Sequence, residues 1–380
     1  MDMFDLNEKN MPDLQERTGF YDKIQVIPKD QASVRERLTA MEKPLLAWYG
    51  ENARKLPWRD DPQAYRVWVS EIMLQQTRVE AVKPYFARFM EAFPTVRDLA
   101  EAEDDRLMKL WEGLGYYSRA RNLKKAAREI VDQHGGKLPE SWEALKKLPG
   151  IGSYTAGAIA SIAYGIPAPA VDGNVLRVIS RVLGSRKDIT KQSVKREVEE
   201  ALKEVIPAGK ASSYNQGLIE IGALVCVPNG QPRCGECPLF SLCEAGKKGL
   251  TGEIPVKGEK KARKIEEKTI CLIQWQDKYA IRKRDANGLL ASLYELPNTE
   301  GYLEGERLLE ALGLDKSSSR ISERLPDARH IFSHVEWHMR GWRIETAGSR
   351  PEGFIFADKK ELDEKYPLPN AFGKYMKLIS

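Results

Sequence analysis

The sequence predicts a multidomain protein with an all-α core followed by a small α+β domain, and three observations predict it. From Ser33 to about Phe240, Ala, Leu, Glu, Lys and Arg dominate and apolar residues recur at helical spacing, as in Leu107, Leu110, Trp111 and Leu114. Residues 251–268, TGEIPVKGEKKARKIEEK, are charged and poor in apolar side chains, the composition of an interdomain linker. Beyond them the period shifts. Thr269–Trp275, Tyr279–Arg282, Ser333–Arg340 and Trp342–Thr346 alternate as strands do, with a helical pattern at Glu306–Leu312.

The bulk numbers agree. A chain of 380 residues is long enough for two or three domains. A 42% hydrophobic fraction is enough for packed cores. Net charge is +5, mild support for a nucleic-acid partner. Residues 1–32 carry seven acidic and four basic residues, net −3, which leaves +8 on the rest, and they read as a flexible extension. The N-terminus has no basic region followed by an apolar run, and no stretch approaches the roughly 18 apolar residues of a spanning helix. The expectation is a soluble, intracellular, cytoplasmic (nucleoid-associated) monomer with no membrane partner. Four of the five cysteines fall within residues 226–243, which in a reducing compartment points to metal rather than disulfides.

Four motifs carry chemistry. Residues 148–155, LPGIGSYT, lie between two helical patterns, and Gly150 and Gly152 allow a tight turn with exposed backbone N–H groups, suited to a DNA phosphate at a helix start. Taken alone the segment is a turn between two helices. Asp172, in VDGNVLRV, is a favoured N-cap for a helix beginning near Gly173. Cys226, Cys234, Cys237 and Cys243 form C-x7-C-x2-C-x5-C, a set of thiolates able to hold either an iron–sulfur cluster or a structural zinc. EIMLQQTRVE, residues 71–80, places Thr77 and Glu80 as a capping box for the next helix. Cys271, in a strand pattern, reads as a small buried apolar residue.

In combination, LPGIG, a helix, VDGN and then the cysteines resemble the helix–hairpin–helix DNA glycosylases, the superfamily that includes endonuclease III, and within it the adenine-removing MutY branch. The match runs from about Lys55 to Cys243 and continues more weakly to the C-terminus. It implies an all-α helix–hairpin–helix glycosylase core over 33–250, with a six-helix part at about 60–165 and an iron–sulfur part at about 33–59 and 166–250. It also implies a 251–268 linker and a Nudix-like α+β domain over 269–380 that recognises 8-oxoguanine. The cofactor it implies is a 4Fe–4S cluster on the four cysteines. The family's usual first gap is one residue shorter, and the turn-rich VPNGQPR would absorb the extra residue. The partner it implies is double-stranded DNA with an adenine:8-oxoguanine mispair.

The resemblance also assigns roles. Glu71 would protonate adenine, and Asp172 would be the anion beneath the sugar, with Asn174 and Tyr154 orienting them. Bifunctional relatives carry a lysine at the second residue after LPGxG, the position filled here by Tyr154, and Ser153 before it is no lysine either. Loss of the lysine implies hydrolysis rather than strand cleavage. Gln76, Thr77, Leu114, Tyr116, Gly150 and Gly152 would contact DNA, with Tyr116 of WEGLGYYSRARN wedged near the lesion pair. Arg59 and Gln216 would touch adenine. Phe332, Ser333 and His334, within HIFSHVEWH, would read 8-oxoguanine. The Nudix helix departs from its pattern: ERLLEALGL, residues 306–314, keeps only Glu310 beside Ala311, too few carboxylates for magnesium, so a recognition domain is expected and not a second enzyme. Two other readings remain: an endonuclease III-like lyase on oxidised pyrimidines, and a catalytically silent lesion binder.

Overall fold

The computed structural model describes residues 34–259, 262–347 and 350–379, so the extension read at 1–32 lies outside the described residues. The described chain forms two compact units that do not follow chain order. The first combines 34–76 with 129–259, the second 77–128 with 262–379. Among the described residues no helix is long and apolar enough to cross a membrane.

The first unit is helical. Its core joins α1 (Val34–Ala40), α2 (Glu42–Asn52), α11 (Gly173–Leu183) and α13 (Ala211–Leu224) through Leu38, Met41, Leu45, Val178, Ile179, Tyr214 and Leu218. Burying each such aliphatic side chain contributes roughly 1.5–3 kcal/mol. Between these helices in sequence stand α3 (Pro57–Asp60), α4 (Ala64–Leu74) and, before α13, α12 (Gln192–Lys203). The hairpin is built from α9 (Trp142–Leu145) and α10 (Ser153–Tyr164). Leu148 and Ile151 are buried and close the turn through an Ile151 N–H donated to the Leu148 carbonyl at 3.1 Å. Gly150 takes φ +75°, which a side chain would oppose, and Gly150 and Gly152 are both exposed. α10 packs closely on α4.

The second unit contains α5 (Val79–Ala92), α6 (Val96–Glu101), α7 (Asp104–Trp111) and the start of α8 (Ser118–His134), which continues into the first unit. The capping box predicted at Thr77–Glu80 does not form. The helix is capped at Arg78 without a side-chain hydrogen bond, and Glu80 pairs instead with Lys83 at 2.8 Å. The rest of the unit is a mixed sheet, in which β3 (Tyr294–Glu295), β2 (Lys278–Lys283), β1 (Lys264–Trp275), β6 (Val335–Thr346) and β5 (Ser319–Ile331) follow one another, with β4 (Asn298–Glu300) beside β1 and β7 (Ile355–Ala357) beside β2. The β1 and β6 strands run parallel in its centre. β1 begins at Lys264, inside the segment read as linker, because its charged first residues are solvated and only Lys268–Ile273 are buried. β6 continues through Gly341, where two separate strands were expected. Its partner β5 (Ser319–Ile331) was not anticipated, since SRISERLPDARHI has too few apolar residues to show a strand period. Cys271 is fully buried, as its strand pattern suggested.

The two segments of the second unit are fastened together. Lys109 Nζ donates to the carbonyls of Leu362 (3.0 Å) and Tyr366 (3.1 Å), and Tyr294 donates to Asp105 at 2.8 Å. Arg121 donates to the Ala291 carbonyl at 2.9 Å.

Candidate active site

Glu71 sits on α4 and is 6% exposed, on a helix whose residues from Tyr65 to Met73 are almost all buried against neighbouring helices. Its partner comes from the hairpin helix: the Tyr154 hydroxyl donates to Glu71 Oε2 at 2.5 Å. Burial raises the Glu71 carboxyl to about 7, against the opposing pull of the Tyr154 hydrogen bond; nearby Asp172 raises it further and Arg59 lowers it. Desolvation and the same carboxylates push the Tyr154 hydroxyl well above its ordinary value. A carboxyl near neutrality is matched to proton donation at physiological pH.

Asp172 caps α11. Its Oδ1 accepts from Asn174 N (2.9 Å) and Val175 N (2.8 Å), and its Oδ2 accepts from Asn174 Nδ2 (2.7 Å). Burial nonetheless raises its carboxyl above the usual range, outweighing those three bonds. The cap and the candidate catalytic group are thus one side chain, as the sequence suggested. Arg59 lies on α3 and is electrostatically linked to both Glu71 and Tyr154. Gln216 is placed on α13 and donates to the Ser212 hydroxyl at 3.0 Å.

Of the candidate DNA- and lesion-contacting residues, Thr77, Leu114, Tyr116, Phe332, Ser333 and His334 lie in the second unit, and Gln76, Gly150 and Gly152 in the first. Leu114 and Tyr116, with Phe332, Ser333 and His334, line one cavity of about 560 Å³, together with Leu289, Leu290 and Asn370. That volume suits a drug-sized or nucleotide-sized group. Tyr116 is 46% exposed with φ +48°, and Leu114 is buried. Phe332 packs edge-on against Trp337, with centroids 4.9 Å apart, which leaves Ser333 and His334 exposed on the loop between β5 and β6. Gln76, exposed at φ +61°, and Thr77 occupy the turn after α4.

Residues 69–204 match the family described as HhH-GPD superfamily base excision DNA repair protein, and residues 269–378 match the NUDIX domain. The adenine DNA glycosylase of Rattus norvegicus is 32% identical over 372 residues, covering 83% of this chain and 72% of the relative. That of Buchnera aphidicola subsp. Schizaphis graminum is 35% identical over 298 residues, covering 78% and 84%. The chain belongs to the adenine DNA glycosylases. A solved thermostable thymine-DNA glycosylase shares the helical fold at TM-score 0.51 and 28% identity, covering 56% of this chain and 97% of its own.

Family membership directs attention to the cysteines. Among the described residues no three His, Cys, Asp or Glu side chains are grouped closely enough to hold a metal ion, yet Cys226, Cys234, Cys237 and Cys243 all line one small hollow. A single zinc, with Zn–S near 2.3 Å, demands tight convergence, whereas a larger polynuclear group fits between sulfurs set further apart. The donor chemistry fits such a group. Arg181 Nη1 donates to Cys226 Sγ at 3.1 Å, and Gly246 N donates to Cys243 Sγ at 3.3 Å. Left as a thiol, Cys237 is pushed up to about 12, first by burial and then by the neighbouring cysteines. The long gap forms an exposed loop: Pro228–Gln231 are exposed, and Arg233 N returns to the Val225 carbonyl at 3.0 Å.

Sequence reasoning missed the residues that hold this site in place. Asn215 is fully buried, accepts from Ala170 N (2.9 Å) and donates to the Ala168 carbonyl (2.9 Å), fastening the approach to Asp172 onto α13. Arg177 Nη2 donates to Asn174 Oδ1 (2.8 Å) and the Gly222 carbonyl (2.7 Å), and its Nε donates to the Cys226 carbonyl (2.7 Å). It therefore ties the cysteine loop to the Asn174–Asp172 pair. Gly222 makes room for this, since a Cβ there would stand 2.5 Å from Asn174 Cβ. Arg177 and Arg181, one turn apart in the largely apolar NVLRVISRVL, were the available signal.

Proposed function

We propose that this protein is a monofunctional DNA glycosylase that hydrolyses the N-glycosidic bond of adenine mispaired with 8-oxoguanine or guanine, leaving an abasic site. The observation that carries the reading is Glu71, buried, engaged by Tyr154 and near Asp172. Adenine leaves poorly as an anion. A proton delivered by Glu71 to N7 lets the C1′–N9 electron pair depart on a neutral base. The sugar becomes oxocarbenium-like, and the Asp172 carboxylate stabilises it in a water-poor pocket. Asn174 fixes the Asp172 carboxylate, and Tyr154 fixes Glu71. Arg59 and Gln216 contact the extruded base. No amine stands at Tyr154 or Ser153 to attack the sugar, so water completes the reaction.

Cys226, Cys234, Cys237 and Cys243 would hold a 4Fe–4S cluster, which supplies structural closure of the 226–243 loop. The purified protein is expected to be yellow-brown with about four irons per chain. A colourless protein carrying about one zinc would reassign the loop to a structural zinc site.

Adenine is a normal base, so the error signal must be read on the opposite strand, and the Tyr116–Ser333–His334 cavity supports that role. 8-Oxoguanine adds a carbonyl at C8 and a proton at N7, each a partner for the Ser333 hydroxyl or the His334 ring. Ser333→Ala with His334→Ala is expected to narrow the preference for adenine opposite 8-oxoguanine over adenine opposite guanine by roughly 5- to 150-fold, the ~1–3 kcal/mol of a well-made base contact. Single-turnover excision on both duplexes measures it, and an unchanged ratio would move recognition to Gln76 and Tyr116. The reading as a whole is tested on duplexes holding adenine opposite 8-oxoguanine, adenine opposite guanine, and thymine glycol. Excision of thymine glycol with adenine untouched would replace it.

A further inference from the structure

One fully buried charge in the first unit has no role in the chemistry above. Glu220 lies on α13, one turn after Gln216, and its side chain is fully buried. Its Oε1 accepts from Arg54 N (3.0 Å) and Arg54 Nε (2.7 Å), and its Oε2 accepts from Arg54 Nη2 (2.9 Å) and Arg59 Nη2 (3.0 Å). Arg59 Nη1 adds a bond to the Arg54 carbonyl at 3.0 Å, and its guanidinium lies over the Tyr49 ring, 5.8 Å from the centroid. A buried carboxylate is costly unless paired and fully bonded. Here two arginines meet it, though a structural pair would need only one.

The second arginine is the informative one. Arg59 lowers the Glu71 carboxyl electrostatically, as the Tyr154 hydrogen bond also does, while Asp172 raises it. An unrestrained guanidinium beside a carboxyl forms a bidentate ion pair and holds it ionised. Glu71 instead receives its hydrogen bond from Tyr154, while the donors of Arg59 are directed to Glu220 and the Arg54 carbonyl. We propose that Glu220 is a positioning residue for base release: gripped by Arg54, it holds the Arg59 guanidinium in place and offsets its charge, which keeps Arg59 from capturing Glu71. The inference rests on the reading of Glu71 as the proton donor.

Activity that needs protonated Glu71 is present below its pKa and lost as pH rises through it. Glu220→Gln keeps the shape and removes the charge, so Arg59 is released toward Glu71 and the alkaline limb of single-turnover adenine release is expected to move down by about one pH unit. Arg59→Gln is expected to move the limb up, and adding Glu220→Gln to it should cause no further shift, because the effect runs through Arg59. Glu220→Asp retains charge with a shorter reach. It is expected to leave the limb in place while slowing release several-fold, and it carries the test if Glu220→Gln does not accumulate as folded, iron-loaded protein. An alkaline limb unmoved in Glu220→Gln, or a limb displaced in Glu220→Asp with an unchanged plateau, would overturn the proposal. If the parent enzyme lacks an alkaline limb that Glu71→Gln removes, the reading of Glu71 fails instead, independently of Glu220.

Discussion

Glu71→Gln is expected to lower single-turnover adenine release by at least ~100-fold, the low end for removal of a positioned general acid. The amide fills the same space on α4 and can still accept from Tyr154, so folding and DNA affinity should survive. It cannot give up a proton to N7. The size of the effect follows from the environment. Burial lifts the carboxyl to about 7 against a 2.5 Å hydrogen bond that favours the ionised form, so near neutral pH a substantial share of the enzyme carries the proton in place. Raising the pH through that value should remove activity from the parent enzyme. The residual activity of Glu71→Gln should lack that alkaline loss. Release by Glu71→Gln within a few-fold of the parent rate would take the role away from Glu71.

Asp172→Asn is expected to cost ~10²–10³-fold in the same assay, the magnitude found when a single preorganised electrostatic group is removed from a transition state. Asn is as good an N-cap as Asp, so α11 should keep its start and the melting temperature should change little. The loss therefore reports charge, not structure. In the parent enzyme the carboxyl is raised by burial above its ordinary value in spite of three hydrogen bonds. The anion is present above that raised pKa and is lost as pH falls through it, so activity should also decline on the acid side. Together with Glu71 this gives a bell, with Asp172 on the acid limb and Glu71 on the alkaline limb. A variant that melts normally and still excises at the parent rate would remove the need for an anion under the sugar.

The motifs of the candidate site were legible because each is local. A cap, a tight turn and a run of cysteines are written in consecutive residues, and their backbone needs coincide with their chemistry: Asp172 caps α11 through bonds two and three residues away. What supports them is not local. Glu220 meets Arg54 and Arg59 across 166 and 161 residues, and Arg177 reaches the Cys226 carbonyl across 49. No window of sequence contains such a pair. A buried arginine can be suspected from an apolar helix, but its partner cannot be named. The composition of the two compact units was hidden for the same reason, since the bonds from Lys109, Arg121 and Tyr294 that fasten 77–128 to the C-terminal domain come from side chains that look like ordinary surface polar groups. Strand β5 escaped because most of its side chains are solvated, so period two had little to act on.

The central claim is hydrolytic release of adenine by a site without an amine nucleophile, and one gel tests it. A labelled duplex with adenine opposite 8-oxoguanine is incubated with excess enzyme and divided, one half treated with hot alkali and the other not, with a parallel reaction in borohydride. The account predicts strand breaks only after alkali and no substantial trapped protein–DNA complex. Breaks without alkali, together with a borohydride-trapped adduct, would contradict it by showing an amine at the sugar.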